Sequence, residues 1–138
     1  MADEDIKKVS VIVSEGTFDK AMMPFIVGNT AAAMGMEVHI FFTFFGLKLL
    51  KQGTRPKLPG LMRFFTGMIL KKMKKQKIPN FEELKKQAID LGVHLYACST
   101  SMTLMNIKKE DLIHGAEILG AAKFLDIAAD SDVQLFIG

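Results

Sequence analysis

Two strand-like runs separated by a single helical stretch set the limits on how this chain can fold. KKVSVIV at residues 7–13 and EVHIFFT at residues 37–43 are short, rich in β-branched or aromatic residues and low in charge, as strands covered on both faces are. Between them SEGT, residues 14–17, is a loop in which Gly16 allows the turn and Thr17 caps the next helix. That helix is expected from about Phe18 to Met34, closed by Gly35, with Pro24 kinking it or marking where its regular part begins. Ala31, Ala32, Ala33 and Gly35 offer a small-residue surface to the sheet. Strand, helix and strand in this order make a right-handed crossover between parallel strands. Sheets of that kind bind ligands beyond the carboxyl ends of their strands.

The pattern resumes downstream. Asn80 caps a helix over Phe81–Leu91, Glu82 and Glu83 lie in its first turn, and Gly92 closes it. VHLYAC, residues 93–98, is then a third strand. After Met105 a polar turn leads to AEI, a very short strand. A helix through Asp130 comes next, and DVQLFIG ends the chain as a last strand. The expected fold is α/β, a three-layer α/β/α sandwich with four or five mostly parallel strands, forming one domain over residues 1–138. The acidic start is expected to fray.

Cys98 stands where the third strand meets a short helix opening on Ser99, Thr100 and Ser101. Val93, Leu95 and Ala97 alternate with His94, Tyr96 and Cys98 along that strand. A thiol at such a junction faces unpaired backbone N–H groups and the positive end of a helix dipole. Both favour the thiolate and lower a cysteine pKa from about 8.5 by one to several units. The plainer reading is a small buried hydrophobe. Position favours chemistry, because Thr43, Phe44, Phe45 and Gly46 end the second strand at the same edge. Phe44 and Phe45 either wall a pocket there, with Met102, or pack into the core.

Several chemistries drop out. A single cysteine in 138 residues excludes an internal disulfide and any cysteine-cluster metal site. His39, His94 and His114 lie too far apart for a ligand motif, so no metal and no cofactor are expected. The first strand–loop–helix unit lacks a nucleotide-binding glycine pattern. No apolar run reaches the ~18–20 residues of a membrane span, and MADEDIKK is polar rather than a signal peptide, so a cytoplasmic protein is expected.

Charge is distributed unevenly. From Val38 to Phe81 there are ten basic residues and no acid, while the remainder carries eight basic and fifteen acidic side chains. That asymmetry points to a specific anionic partner and not to general nucleic-acid affinity. Residues 47–79 are also the stretch that an economical α/β domain does not need. Here a helix is expected over 61–77, with Leu61, Met62, Phe65, Met68, Ile69 and Met73 on one face and Lys71, Lys72, Lys74, Lys75 and Lys77 crowding its end. Lysines suit a helix C-terminus, so part of the run is ordinary dipole chemistry. The segment reads as a lid over the cysteine, an oligomer contact, or a membrane-surface or partner helix, with a lid or contact favoured.

The runs AAAMGMEVHIFFTFFGLKLLK and LGVHLYACSTSMTLMNIKKEDLIHGAEILGAAKFLDIAADSDVQLFIG resemble the DsrE/DsrF/DsrH-like sulfur-relay proteins, nearest to the DsrE-type branch labelled peroxiredoxin-like. The resemblance covers nearly the whole chain, basic insert included. Its most specific elements are FFTFFGL and Cys98-Ser99-Thr100-Ser101-Met102. It implies a sulfur carrier or sulfurtransferase that holds persulfide or thiosulfonate on Cys98. The group would pass to a small carrier protein or a heterodisulfide-reductase-like complex, and the protein would be a homo-oligomer. On this reading Ser99, Thr100, Ser101, Thr17 and Thr43 bind the anionic sulfur group, and Lys48 or Arg63 guides it. Some members carry a second cysteine; this chain does not, which favours relay between proteins. Peroxidase chemistry is unsupported, because Leu95 occupies the position three before the cysteine where a peroxidatic site carries threonine. The alternative is a non-catalytic binding or scaffold subunit that docks through the basic Met/Phe helix.

Overall fold

The computed structural model describes residues 6–138; the acidic start expected to fray lies outside them. Five strands alternate with helices: β1 (Lys8–Val13), α1 (Phe18–Ala33), β2 (Glu37–Phe42), α2 (Thr66–Lys75), α3 (Phe81–Asp90), β3 (His94–Cys98), α4 (Ser99–Leu104), β4 (Ala116–Leu119), α5 (Ala121–Ala129) and β5 (Val133–Ile137). Short 3-10 helices cover Phe44–Leu50, Gly60–Phe65 and Lys109–Asp111. The sheet order is β4-β3-β2-β1-β5 and every pairing is parallel.

This order explains the layers. From β1 to β4 each new strand is added on the same side, so right-handed crossovers leave α1 and α3 on one face. Only the step from β4 back to β5 reverses direction, and it sends α5 across the other face. The first face holds the larger core. Val9, Val11, Val13, Val38, Ile40, Phe42, Leu95 and Ala97 pack there against Phe25 of α1 and Phe81, Leu84 and Ala88 of α3. The second face has a small core of Phe41, Tyr96, Cys98 and Phe124. Strand alternation assigns each residue: one register step would exchange the faces.

Two local expectations are sharpened. Helix α1 continues through Pro24, which is buried. It lies close on the sheet at Gly28, where an added Cβ would lie 3.1 Å from Ile40 Cδ1, whereas Ala33 and Gly35 are exposed. The insert is not one helix over 61–77. A 3-10 turn over Gly60–Phe65 precedes α2, and α-helical geometry starts at the buried Thr66, whose hydroxyl accepts the Leu58 N–H at 3.0 Å. Of the expected apolar face, only Ile69 and Met73 pack against the core. Leu61, Met62, Phe65 and Met68 are exposed. No helix among the described residues is long and apolar enough to cross a membrane.

Candidate functional site

Strand β3 is central, and its alternation turns Cys98 to the second face, two residues beyond Tyr96 and four beyond His94. Cys98 is 5% exposed and ends the strand as the N-cap residue of α4. The thiol closes no cap hydrogen bond of its own. Burial pushes its pKa up, but the Ser101 hydroxyl and amide, the Thr43 hydroxyl and the Thr100 amide favour the anion and together hold the pKa below the ordinary thiol range. At six residues α4 is short, so these individual donors, and not a long helix dipole, do the lowering.

Those donors are fixed by the chain leaving β2. Thr43 Oγ1 lies 2.9 Å from Ser101 Oγ, and the Phe44 N–H donates to the same Ser101 oxygen at 2.9 Å. Phe44 reaches this geometry in the left-handed region, at φ 49°. An aromatic residue there is strained, and strain of this kind concentrates at functional sites. Gly46 then passes over the end of β1 so closely that an added Cβ would collide with the Val13 carbonyl. The 3-10 segment after β2 is therefore pressed onto the sheet edge, and it carries Thr43 and the Phe44 amide to the sulfur.

Cys98, Thr43, Thr100 and Ser101 are thus brought together. Ser99 is half-buried beside Gly120, with its Oγ 3.8 Å from where a Cβ on that glycine would be. Met102 turns the other way, into the larger core. Phe44 and Phe45 are 53% and 59% exposed, and the Lys48 ammonium sits 5.5 Å from the Phe45 ring centre. Arg63 lies over Phe64, at 5.1 Å. Thr17 is the N-cap residue of α1 at the end of β1, two strands from β3, and its buried hydroxyl has no partner among the described residues. Helix α2 rests on the larger core while Cys98 belongs to the smaller one, so the insert is not packed over the sulfur.

One polar array on the sulfur's face goes beyond the residues expected at the site. The Tyr96 hydroxyl lies 2.7 Å from His39 Nδ1, and His39 Nε2 lies 2.7 Å from a Glu37 carboxylate oxygen. A carboxylate only accepts, so Nε2 carries the proton and Nδ1 accepts from tyrosine. Burial holds the His39 pKa down against the pull of Glu37, and burial also pushes Tyr96 up to about 12, so both side chains are neutral near pH 7. His94 stacks on His39 with ring centres 4.6 Å apart. Period-two alternation of His94, Tyr96 and Cys98 was the available signal, with His39 reached through the register. Among the described residues no three His, Cys, Asp or Glu side chains are grouped to hold a metal ion.

The model of the DsrE/DsrF/DrsH-like family matches residues 5–60 and 57–136. The sulfur carrier protein DsrE2 of Allochromatium vinosum is 34% identical, over 95% of this chain and 98% of that protein. The uncharacterized protein YrkE of Bacillus subtilis is 32% identical over 97% of this chain and 99% of its own. Among solved structures the ychN protein from E. coli superposes with a TM-score of 0.65 over 96% of this chain and 100% of that chain. At 16% identity that last likeness concerns the fold alone.

Proposed function

The chain belongs to the DsrE/DsrF/DrsH-like family, and from that premise we propose that it carries sulfur on Cys98 and delivers it to another protein. The observation that carries the reading is a strand-end cysteine, the chain's one, held as the N-cap of α4 beside the hydrogen-bonded pair of Thr43 and Ser101, surroundings that favour its anion. Donors arranged in this way stabilise a thiolate, and the thiolate is the nucleophile.

Loading is a displacement at sulfur. The Cys98 thiolate attacks a sulfane sulfur of the donor, the donor's S–S bond breaks, and its electron pair leaves with the departing fragment. Polysulfide leaves –S–S⁻ on Cys98 with a polysulfide one sulfur shorter. Tetrathionate leaves –S–S–SO₃⁻ and releases thiosulfate. Unloading reverses the roles: an acceptor thiolate takes the outer sulfur and the pair returns to Cys98. With no second cysteine in the chain, the acceptor thiol belongs to another molecule, such as a small carrier protein or a heterodisulfide-reductase-like complex. The Ser101 and Thr43 hydroxyls that favour the thiolate also make Cys98 the better leaving group at this second step.

Intact-mass spectrometry after exposure to polysulfide or tetrathionate tests the proposal. Wild type is expected to gain one sulfur atom or one –S–SO₃⁻ group, Cys98→Ser to gain neither, and a thiol reductant to remove the adduct. An unmodified wild-type protein with every donor would overturn the carrier reading in favour of a docking subunit without sulfur chemistry.

A further inference from the structure

We propose that the Gly60–Lys77 segment is a docking surface for an anionic lipid bilayer, a role independent of the sulfur chemistry. Helix α2 is held to the body by a narrow stripe, with Thr66 buried and Ile69 and Met73 half-buried. Everything else around it faces outward. Leu61 is 81% exposed, Phe64 71% and Met68 65%, with Met62 and Phe65 exposed beside them. No residue of the 3-10 turn over Gly60–Phe65 is buried. Lys71, Lys72, Lys74, Lys75 and Lys77, all exposed, follow in the second half of α2 and just beyond it.

Large apolar side chains at one end of a surface helix and lysines at the other match the acyl–headgroup boundary of a membrane. The rings enter the boundary while lysine stems lie along it and their ammonium groups meet lipid phosphates. Charge selects this occupant over the others. The basic stretch from Val38 to Phe81 holds no acid, so it carries no pattern of mixed charge for a particular protein face to read. A second copy offering the same segment in a two-fold contact would set lysines against lysines, and a contact with a second copy's acidic body is an outcome that the test below separates. The rest of the chain is net acidic, so an anionic surface attracts the insert and repels the body, which orients the molecule.

The test is co-sedimentation of the full-length protein with vesicles of phosphatidylcholine alone and with about 30% phosphatidylserine. Binding is expected to strengthen at least about tenfold with the anionic lipid and to weaken as salt is raised. Two sets of exposed substitutions separate the parts: Lys71, Lys72, Lys74 and Lys75 each to Gln, and Phe64→Ser with Phe65→Ser. Each set should lower vesicle binding about tenfold or more while leaving the circular dichroism spectrum and Cys98 loading as in wild type. No binding to phosphatidylserine vesicles at low salt overturns the proposal. So does binding lost with the lysines but kept by the Phe variant, which is adsorption without insertion. Retention on polyglutamate without retention on vesicles assigns the surface to an acidic protein. A changed sedimentation coefficient of the Phe variant without changed vesicle binding assigns it to a second copy.

Discussion

The charge on Cys98 is set by a contest between burial and hydrogen bonding. Burial at 5% exposure disfavours the anion, while Ser101, Thr43 and Thr100 donors favour it and prevail. Ser101 is the hub. Its oxygen accepts the Phe44 N–H and lies 2.9 Å from Thr43 Oγ1, so its one hydrogen reaches the sulfur when Thr43 donates to Ser101. A hydrogen bond to a charged group contributes about 1.5–3 kcal/mol, equivalent to a pKa change of about one to two units. Alkylation of wild type by iodoacetamide should therefore titrate below the ordinary thiol value of about 8.5, and Ser101→Ala should move the midpoint up by about one to two units. Thiolate stabilisation also contributes to folding above pH about 8.5 and fades as pH falls through the native value. Ser101→Ala should accordingly lose more stability at alkaline than at neutral pH. A Ser101→Ala midpoint equal to wild type would show that the other donors hold the thiolate without this residue.

The element that makes this arrangement is the 3-10 segment over Phe44–Leu50, and its position depends on Gly46. A methyl group there meets the Val13 carbonyl and, at 3.2 Å, Val13 Cγ1, and neither belongs to a flexible side-chain end. Gly46→Ala should cost about 1–3 kcal/mol, read from the urea midpoint. The same variant should raise the Cys98 alkylation midpoint, because the displaced segment carries Thr43 and the Phe44 amide. Lost stability with an unchanged midpoint would separate the segment's packing from its place at the sulfur. Elements of this chain are legible in sequence where period and punctuation agree. Asn80 and Glu83 form the reciprocal cap that starts α3, and the apolar runs are the strands. The sulfur's neighbours were legible only as far as the shared sheet edge. Nothing in FFTFFGL announces that Phe44 adopts a left-handed backbone or that its amide, and not its ring, serves Ser101. The insert misled for a related reason. A helical period shows which side chains share a face but not whether anything covers it, and only Ile69 and Met73 found the core.

For the whole molecule, the consequence of topology is an uneven pair of faces. Because a single crossover reaches the second face, that face has a small apolar core, and a polar chain takes up the rest. Asp130 binds Lys8 at 2.8 Å, Lys8 lies 3.9 Å from Glu37, Glu37 holds His39, and His39 holds Tyr96. These residues tie the end of α5 to β1, β2 and β3 through side chains alone. His39 is the acid-sensitive link, flanked by Glu37, His94, Lys8 and Tyr96. Burial lowers its pKa, with His94 adding in the same direction and Glu37 opposing. A depressed histidine contributes stability that is complete above its unfolded pKa of about 6.5 and is lost as pH falls toward the native value, because the unfolded chain takes up the proton first. Glu37, also depressed through its bond to His39, extends the loss below about pH 4.3. The urea midpoint of wild type should fall between pH 7 and pH 5. His39→Gln keeps an amide donor for Glu37 and an acceptor for Tyr96 but has no proton to gain, so its midpoint should fall less over the same interval. Equal slopes in the two proteins would place the acid sensitivity elsewhere. A shallower slope in His39→Gln would show that the sheet face bearing Cys98 holds together only while its central imidazole stays neutral.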